Sequence, residues 1–230
     1  LSFVHVFYSC IFLLIMVSLT NGKPVLKQSE SSNQLCDIIA VYCVKSELNK
    51  IRDIMLNINQ TAMAIENYIF DHTMTRGTLS RLVFNEERYL IEYNQSPKAK
   101  WHANFLQLPN IDKEFLIYII NDIHNAMLIF YNSIGSLLET DEMFGFQIDE
   151  WFKQIHKNLR SNVICKIRNI LYTYDAEWSQ NTNDQITFRN EFYPSPSQRH
   201  NIKSVVLSRL LREWSNKLTS VINIIDQKLI

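Results

Sequence analysis

VYCVKSELNKIRDIMLNINQTAMAIENYI, residues 41–69, carries apolar side chains at alternating three- and four-residue steps. Val41, Val44, Leu48, Ile51, Met55, Ile58, Ala62, Ile65 and Ile69 form one unbroken stripe. Such a stripe runs along one face of an α-helix about 30 residues long.

Outward from this segment the pattern returns three times. Leu116, Ile120, Ile123, Met127, Phe130, Ile134 and Leu137 define a second helix. Its start is marked by Asn110, Ile111 and Asp112, with Asp112 and Glu114 near the positive end of the helix dipole. Ile148, Phe152, Ile155, Leu159, Val163, Ile167 and Ile170 define a third helix; Leu207, Leu211, Trp214, Leu218, Val221 and Ile225 define a fourth. No segment alternates every second residue over a strand's length. The fold class is therefore all-α, with helices at about 37–71, 112–139, 147–174 and 199–229.

Connection lengths decide the expected topology. Roughly 40 residues separate the first pair of helices, about 8 the second and about 24 the third, and each helix spans on the order of 40 Å. A short link makes antiparallel neighbours, whereas 24 extended residues can cross the whole bundle. Long, short, long predicts a long-chain four-helix bundle in up-up-down-down order with two crossover loops.

The first 22 residues contain no Asp, Glu, Lys or Arg, and Phe3 to Leu19 is almost wholly apolar. Small and polar residues Ser18 to Gly22 follow, then Lys23 and Pro24. This predicts a signal peptide at 1–22 and a bundle domain at 23–230 in a secreted, extracellular protein. An uncleaved anchor is the other reading; the run sits at the lower edge of a bilayer span, and no basic cluster follows it. No membrane insertion is expected after cleavage.

Charge is balanced at 23 basic and 23 acidic residues, which argues against a nucleic-acid partner. Beyond residue 22 the cysteines are Cys36, Cys43 and Cys165. Cys43 near the start of the first helix and Cys165 in the last third of a descending third helix fall at one end of such a bundle. The topology thus predicts a Cys43–Cys165 disulfide, worth about 4–5 kcal/mol by loop closure. Cys36 and Cys43, if both helical, stand roughly 10 Å apart and cannot pair with each other.

The residues also resemble a known family. CVKSELNKIRDIMLNINQTA (43–62) resembles the first helix of leukaemia inhibitory factor in its opening cysteine, its Leu, its Asn, its Ile-Arg pair and a sequon at Asn59. WHAN (101–104) is similar to a stretch in that family's first long loop, and LRSNVIC (159–165) to its third helix. Leu210, Leu211 and Trp214 are similar to its fourth. The matches run in order over most of the chain after residue 22, with divergent loops. Oncostatin M and ciliary neurotrophic factor belong to the same group of interleukin-6-type cytokines. Of the three disulfides usual in leukaemia inhibitory factor, this chain can make one. The position a turn after Cys165 is occupied around Arg168, leaving Cys36 without its family partner and free, capped or exchanging with Cys43.

The resemblance implies a monomeric ligand, without cofactor or metal, that assembles two receptor chains and thereby activates the kinases bound to them. By position, Lys50, Asp53 and Asn57 on the first helix and Asn158, Ser161 and Asn162 on the third would meet a shared signal-transducing receptor chain. The plainer reading of these residues is a solvated helix face. A second site, for a chain like the leukaemia inhibitory factor receptor, maps to Asn201, Ile202, Lys203 and Ser204. The family's aromatic and Lys are absent there, leaving Ile202 and Lys203, or a contact moved to Phe192 and Tyr193, as substitutes. Asn59 and Asn94 are the glycosylation sequons, the latter handicapped by Pro97.

Enzyme readings find little. His72, His102, His124, His156 and His200 are scattered, without metal spacing. No Gly-rich phosphate loop or Gly-x-Ser-x-Gly elbow occurs. The rival reading is a secreted helical carrier of an apolar ligand, which would need a cavity among its stripes.

Overall fold

In the computed structural model, the opening stripe becomes α1, Val44–His72, with Leu48, Ile51, Met55, Ile58, Ala62, Ile65 and Ile69 all buried. The residues described are 35–39, 41, 43–73, 75–139, 146–178, 184–189 and 195–228. They belong to one unit, Leu35–Ile230; the expected signal peptide falls in the other, Leu1–Gln34, outside the described residues. α1 starts seven residues after the expected start at about 37. Before it the described residues 35–39 and 41 are not helical, and two of their N–H groups go elsewhere: Ile39 donates to Asn169 Oδ1 (3.1 Å) and Val41 to Thr173 Oγ1 (2.9 Å). Side chains on another helix thus replace the intrahelical bonds that an earlier start would have made.

The roughly 40-residue link is not a bare loop. It contains α2, Arg76–Glu92, and α3, Lys100–Gln107. α2 buries only Leu79, Val83, Leu90 and the charged Glu86, and α3 buries Trp101 and Phe105. Their stripes are too narrow or too short to read against the long ones. α4, Lys113–Leu138, starts where Asp112 accepts a hydrogen bond from the N–H of Phe115 (2.8 Å), an N-cap that the sequence announces. All seven stripe residues of α4 are buried, and so are Ile119, Ala126, Leu128 and Ser133 on its flanks.

The third stripe folds as α5, Phe146–Asn158, a π-helical segment, Leu159–Ile164, and α6, Cys165–Thr173. Its seven apolar residues stay buried across the π segment. α7, Pro196–Lys228, opens with a proline at its first position, where no N–H is missed, and Ser195 Oγ accepts from Gln198 N (3.2 Å). All six residues of the fourth stripe are buried.

Pairwise contacts orient the long helices. α1 runs antiparallel to α7: Arg52 meets Asn223, Asn59 meets Asn216, and Glu66 meets Arg209. α1 is also antiparallel to α5 and α6, with Tyr68 edge-on to Trp151 near one end and Glu47 paired to Lys166 near the other. α4 is antiparallel to the same pair, since His124 contacts Arg168 while Tyr131 stacks on His156. Met55, Ile58, Met127, Phe130, Phe152, Val163, Leu207 and Leu211 close the core between them. Among the described residues no strand is present, and no helix is long and apolar enough to cross a membrane.

Candidate functional site

Of the residues expected to face a first partner, Lys50, Asp53 and Asn57 lie on the α1 side that looks away from the Asn59 and Glu66 bonds to α7, and Asn158, Ser161 and Asn162 lie on α5 and the π segment. Lys50, Asp53 and Asn57 are exposed, as is Ser161; Asn158 and Asn162 are half-buried. Antiparallel register between Glu47–Lys166 and Tyr68–Trp151 brings Asn57 level with Asn158 to Asn162, and Lys50 and Asp53 level with the π segment and the start of α6. The two trios therefore lie at one level along the paired helices. Among the described residues, no hydrogen bond or ion pair joins the α1 trio directly to the other three.

What does cross the seam was not legible in sequence. Glu47 sits between Lys50 Nζ (2.6 Å) and Lys166 Nζ (2.7 Å), and these two ammonium groups, Lys166 foremost, hold its carboxyl below the usual range. Asp53 binds the Arg52 guanidinium (2.9 Å), which turns on to Asn223 of α7. Asn162 Nδ2 donates to Asn158 Oδ1 (3.1 Å), so those two amides hold each other on one face of the third helix. The seam is thus a polar surface, set by partners on both sides, with Asn57 and Ser161 exposed in its middle.

The expected second site divides. Asn201 and Lys203 are half-exposed, but Ile202 and Ser204 are fully buried and cannot meet a partner. The front of α7 is covered by α2 and by residues 184–189. Arg189 N donates to Glu86 Oε1 (2.9 Å), and Lys203 Nζ lies 5.4 Å over the Phe188 ring. Burial, helped by Arg199, pushes the Lys203 pKa down. Phe192 and Tyr193 lie outside the described residues.

The disulfide corrects the Cys43–Cys165 expectation: Cys165 is bonded to Cys36, with Cα atoms 5.3 Å apart, while Cys43 is free and exposed. The reason is the non-helical segment before α1. Cys36, Ile39 and Val41 meet Cys165, Asn169 and Thr173 in that order, so this segment follows α6 in its own direction and Cys36 lies beside Cys165. Cys43, the N-cap residue of α1, comes after Val41 has already reached Thr173, two helical turns further on. Both cysteines are at the expected end of the molecule, but only one is at the right height.

Of the sequons, Asn59 Nδ2 donates to Asn216 Oδ1 (2.7 Å) across the α1–α7 seam, a bond that an attached glycan would have to give up. Asn94 is exposed in a turn after α2, with a left-handed φ of 54° that asparagine tolerates. Compared with family models, curated proteins and solved structures, the chain finds no match.

Proposed function

We propose that the protein is a secreted cytokine of the leukaemia inhibitory factor and oncostatin M type, an up-up-down-down four-helix bundle with two long crossovers that assembles receptor chains. The carrying observation is the helix register. α1 is antiparallel to both α7 and the α5–α6 helix, and α4 is antiparallel to the latter. This order needs long connections after α1 and after α6, as the chain has. Support for secretion comes from the apolar leader and from a disulfide, which persists in oxidising compartments. The close-packed Ile, Leu, Met and Phe side chains favour a signalling ligand over an apolar carrier.

In this reading Lys50, Asp53, Asn57, Asn158, Ser161 and Asn162 meet a shared signal-transducing receptor chain. A second chain meets the protein near Asn201 and Lys203 at the front of α7. No catalytic step is assigned to the protein, and receptor-associated kinases supply the chemistry. The test applies purified protein to cells bearing the shared chain, with and without candidate second chains, and reads receptor-tail phosphorylation. Silence in every combination overturns the reading. Asn162→Asp tests the face itself: signalling is expected to fall with helical content unchanged, and retained signalling removes Asn162 from the site.

A further inference from the structure

A concave cleft of about 630 Å³ opens where the disulfide-tethered residues Leu35 to Asp37 lie against the third helix. That volume falls within the roughly 300–1,000 Å³ common for small-molecule sites. The cleft lies at the edge of the core, where Cys36 belongs to it, and outside the two expected receptor sites except for Ser161, which it shares with the first.

Its lining is rich in hydrogen-bond donors. Lys157, Arg160 and Lys166 contribute three cations against the single acid Asp37. Lys166 is neutralised by Glu47, whereas Lys157 and Arg160 have no ion-pair partner among the described residues. The tethered backbone takes up much of the remaining capacity. Leu35 C=O accepts from Arg160 Nε (3.2 Å), leaving the terminal guanidinium nitrogens. Asn169 Oδ1 accepts from Ile39 N, leaving the Asn169 amide N–H groups. With Ser161 Oγ, these donors suit an oxyanion.

Two further features shape the ligand. His156 stacks flat on Tyr131, with ring centroids 3.9 Å apart and planes 9° from parallel. Burial, aided by Arg160, pushes the His156 pKa down, so the ring is neutral at pH 7 and the stack is an uncharged flat wall. Arg160 and Ser161 also lie in the π-helical segment Leu159–Ile164. Such a segment departs from ideal helical hydrogen bonding and is frequent at functional sites.

We propose that this cleft binds a sulfated saccharide, its sulfate esters held by Lys157 and Arg160 and a sugar ring resting on the Tyr131–His156 stack. The inference rests on the cleft's geometry and stands apart from the receptor reading. A sulfate ester and a phosphate ester share the oxyanion chemistry, so both are probed.

The experiment titrates a heparin-derived tetrasaccharide, and separately inositol hexakisphosphate, into the full chain with its disulfide intact, followed by calorimetry at two salt concentrations. Tetrasaccharide binding that weakens with salt is expected. Lys157→Glu, which breaks no hydrogen bond or ion pair among the described residues, should weaken it by roughly tenfold or more, in line with loss of a charge-assisted bond. Lys153→Glu, exposed on the same helix, should leave it unchanged. Arg160→Gln should behave like Lys157→Glu, and if it loosens the tether the Lys157 variant decides alone. Absent tetrasaccharide binding, binding of inositol hexakisphosphate only, or equal losses in Lys157→Glu and Lys153→Glu would each overturn the proposal.

Discussion

α1 has two seams, and they are built differently. Towards α7 it is sealed: Arg52 to Asn223, Asn59 to Asn216 and Glu66 to Arg209 and Arg212 cross at every seventh residue of α1. That spacing is two helical turns, so each crossing pair recurs on the same edge. Towards α5 and α6 the same helix packs through its apolar face, and among the described residues its ion-pair and ring ties lie near its ends, Glu47–Lys166 and Tyr68–Trp151. Between these ties Asp53, Asn57 and Ser161 stay exposed. One helix thus presents a closed edge to its own fold and an open edge to solvent. Polarity alone does not mark a binding face; polar residues already satisfied by a neighbouring helix are unavailable to a partner.

The largest way to break the contrast is to cut the tether beside the open seam. Cys36→Ser should cost about 4–5 kcal/mol of unfolding free energy, because the Cys36–Cys165 link closes a very long loop. Cys43→Ser should change it by less than about 0.5 kcal/mol, since its side chain is exposed and unbonded. Urea unfolding of both variants checks the pair, and a larger loss in the Cys43 variant would reassign the bridge.

Next comes acid, acting on the other side of the third helix, between α4 and α6. There Arg168 Nε donates to His124 Nε2 (3.0 Å), both residues being buried, so His124 must be neutral to accept. Burial, with the Arg168 charge adding to it, pushes its pKa down to about 4. The unfolded chain therefore binds the proton first. Stability present above the ordinary histidine value of 6.5 is lost as pH falls towards 4, by about 3 kcal/mol for this residue. His200, also brought to about 4 by burial, adds a loss of the same sign. Urea midpoints at pH 7 and pH 4.5 should differ, and His124→Gln should shrink the difference.

Smaller effects separate the seams themselves. Glu66→Ala on the sealed side strands Arg212 and leaves Arg209 only Glu87, at a cost of about 1–2 kcal/mol. Glu47→Ala on the open side should cost about 0.5–1 kcal/mol and lose most of that in high salt. Thermal melts at two salt concentrations would order the two, and equal losses would contradict the sealed-versus-open distinction.

Why the second expected site fared worse than the first follows from the same contrast. Lys50, Asp53 and Asn57 could be placed off the stripe by counting within one helix, and they are exposed. Ile202 lies off the core positions of the fourth stripe yet is buried at the front of α7, where α2 and residues 184–189 pack; Ser204, three residues before Leu207 and seven before Leu211, continues the stripe itself. No count within α7 reveals a cover supplied from a hundred residues away.

From the sequence by itself came the four long apolar stripes, the Asp112 cap and the end of the molecule where the cysteines gather. These depend on helical periodicity and on neighbours within one or two turns, which the order of residues carries directly. Tertiary structure alone decided that Ile39 and Val41 bond to Asn169 and Thr173 instead of extending α1. That choice selected Cys36 over Cys43 as the partner of Cys165. It also decided that Glu86 is buried beside Arg189, making α2 a cover for α7. In each case the deciding partner lies far along the chain, and no local pattern records which polar groups will meet once the helices have packed.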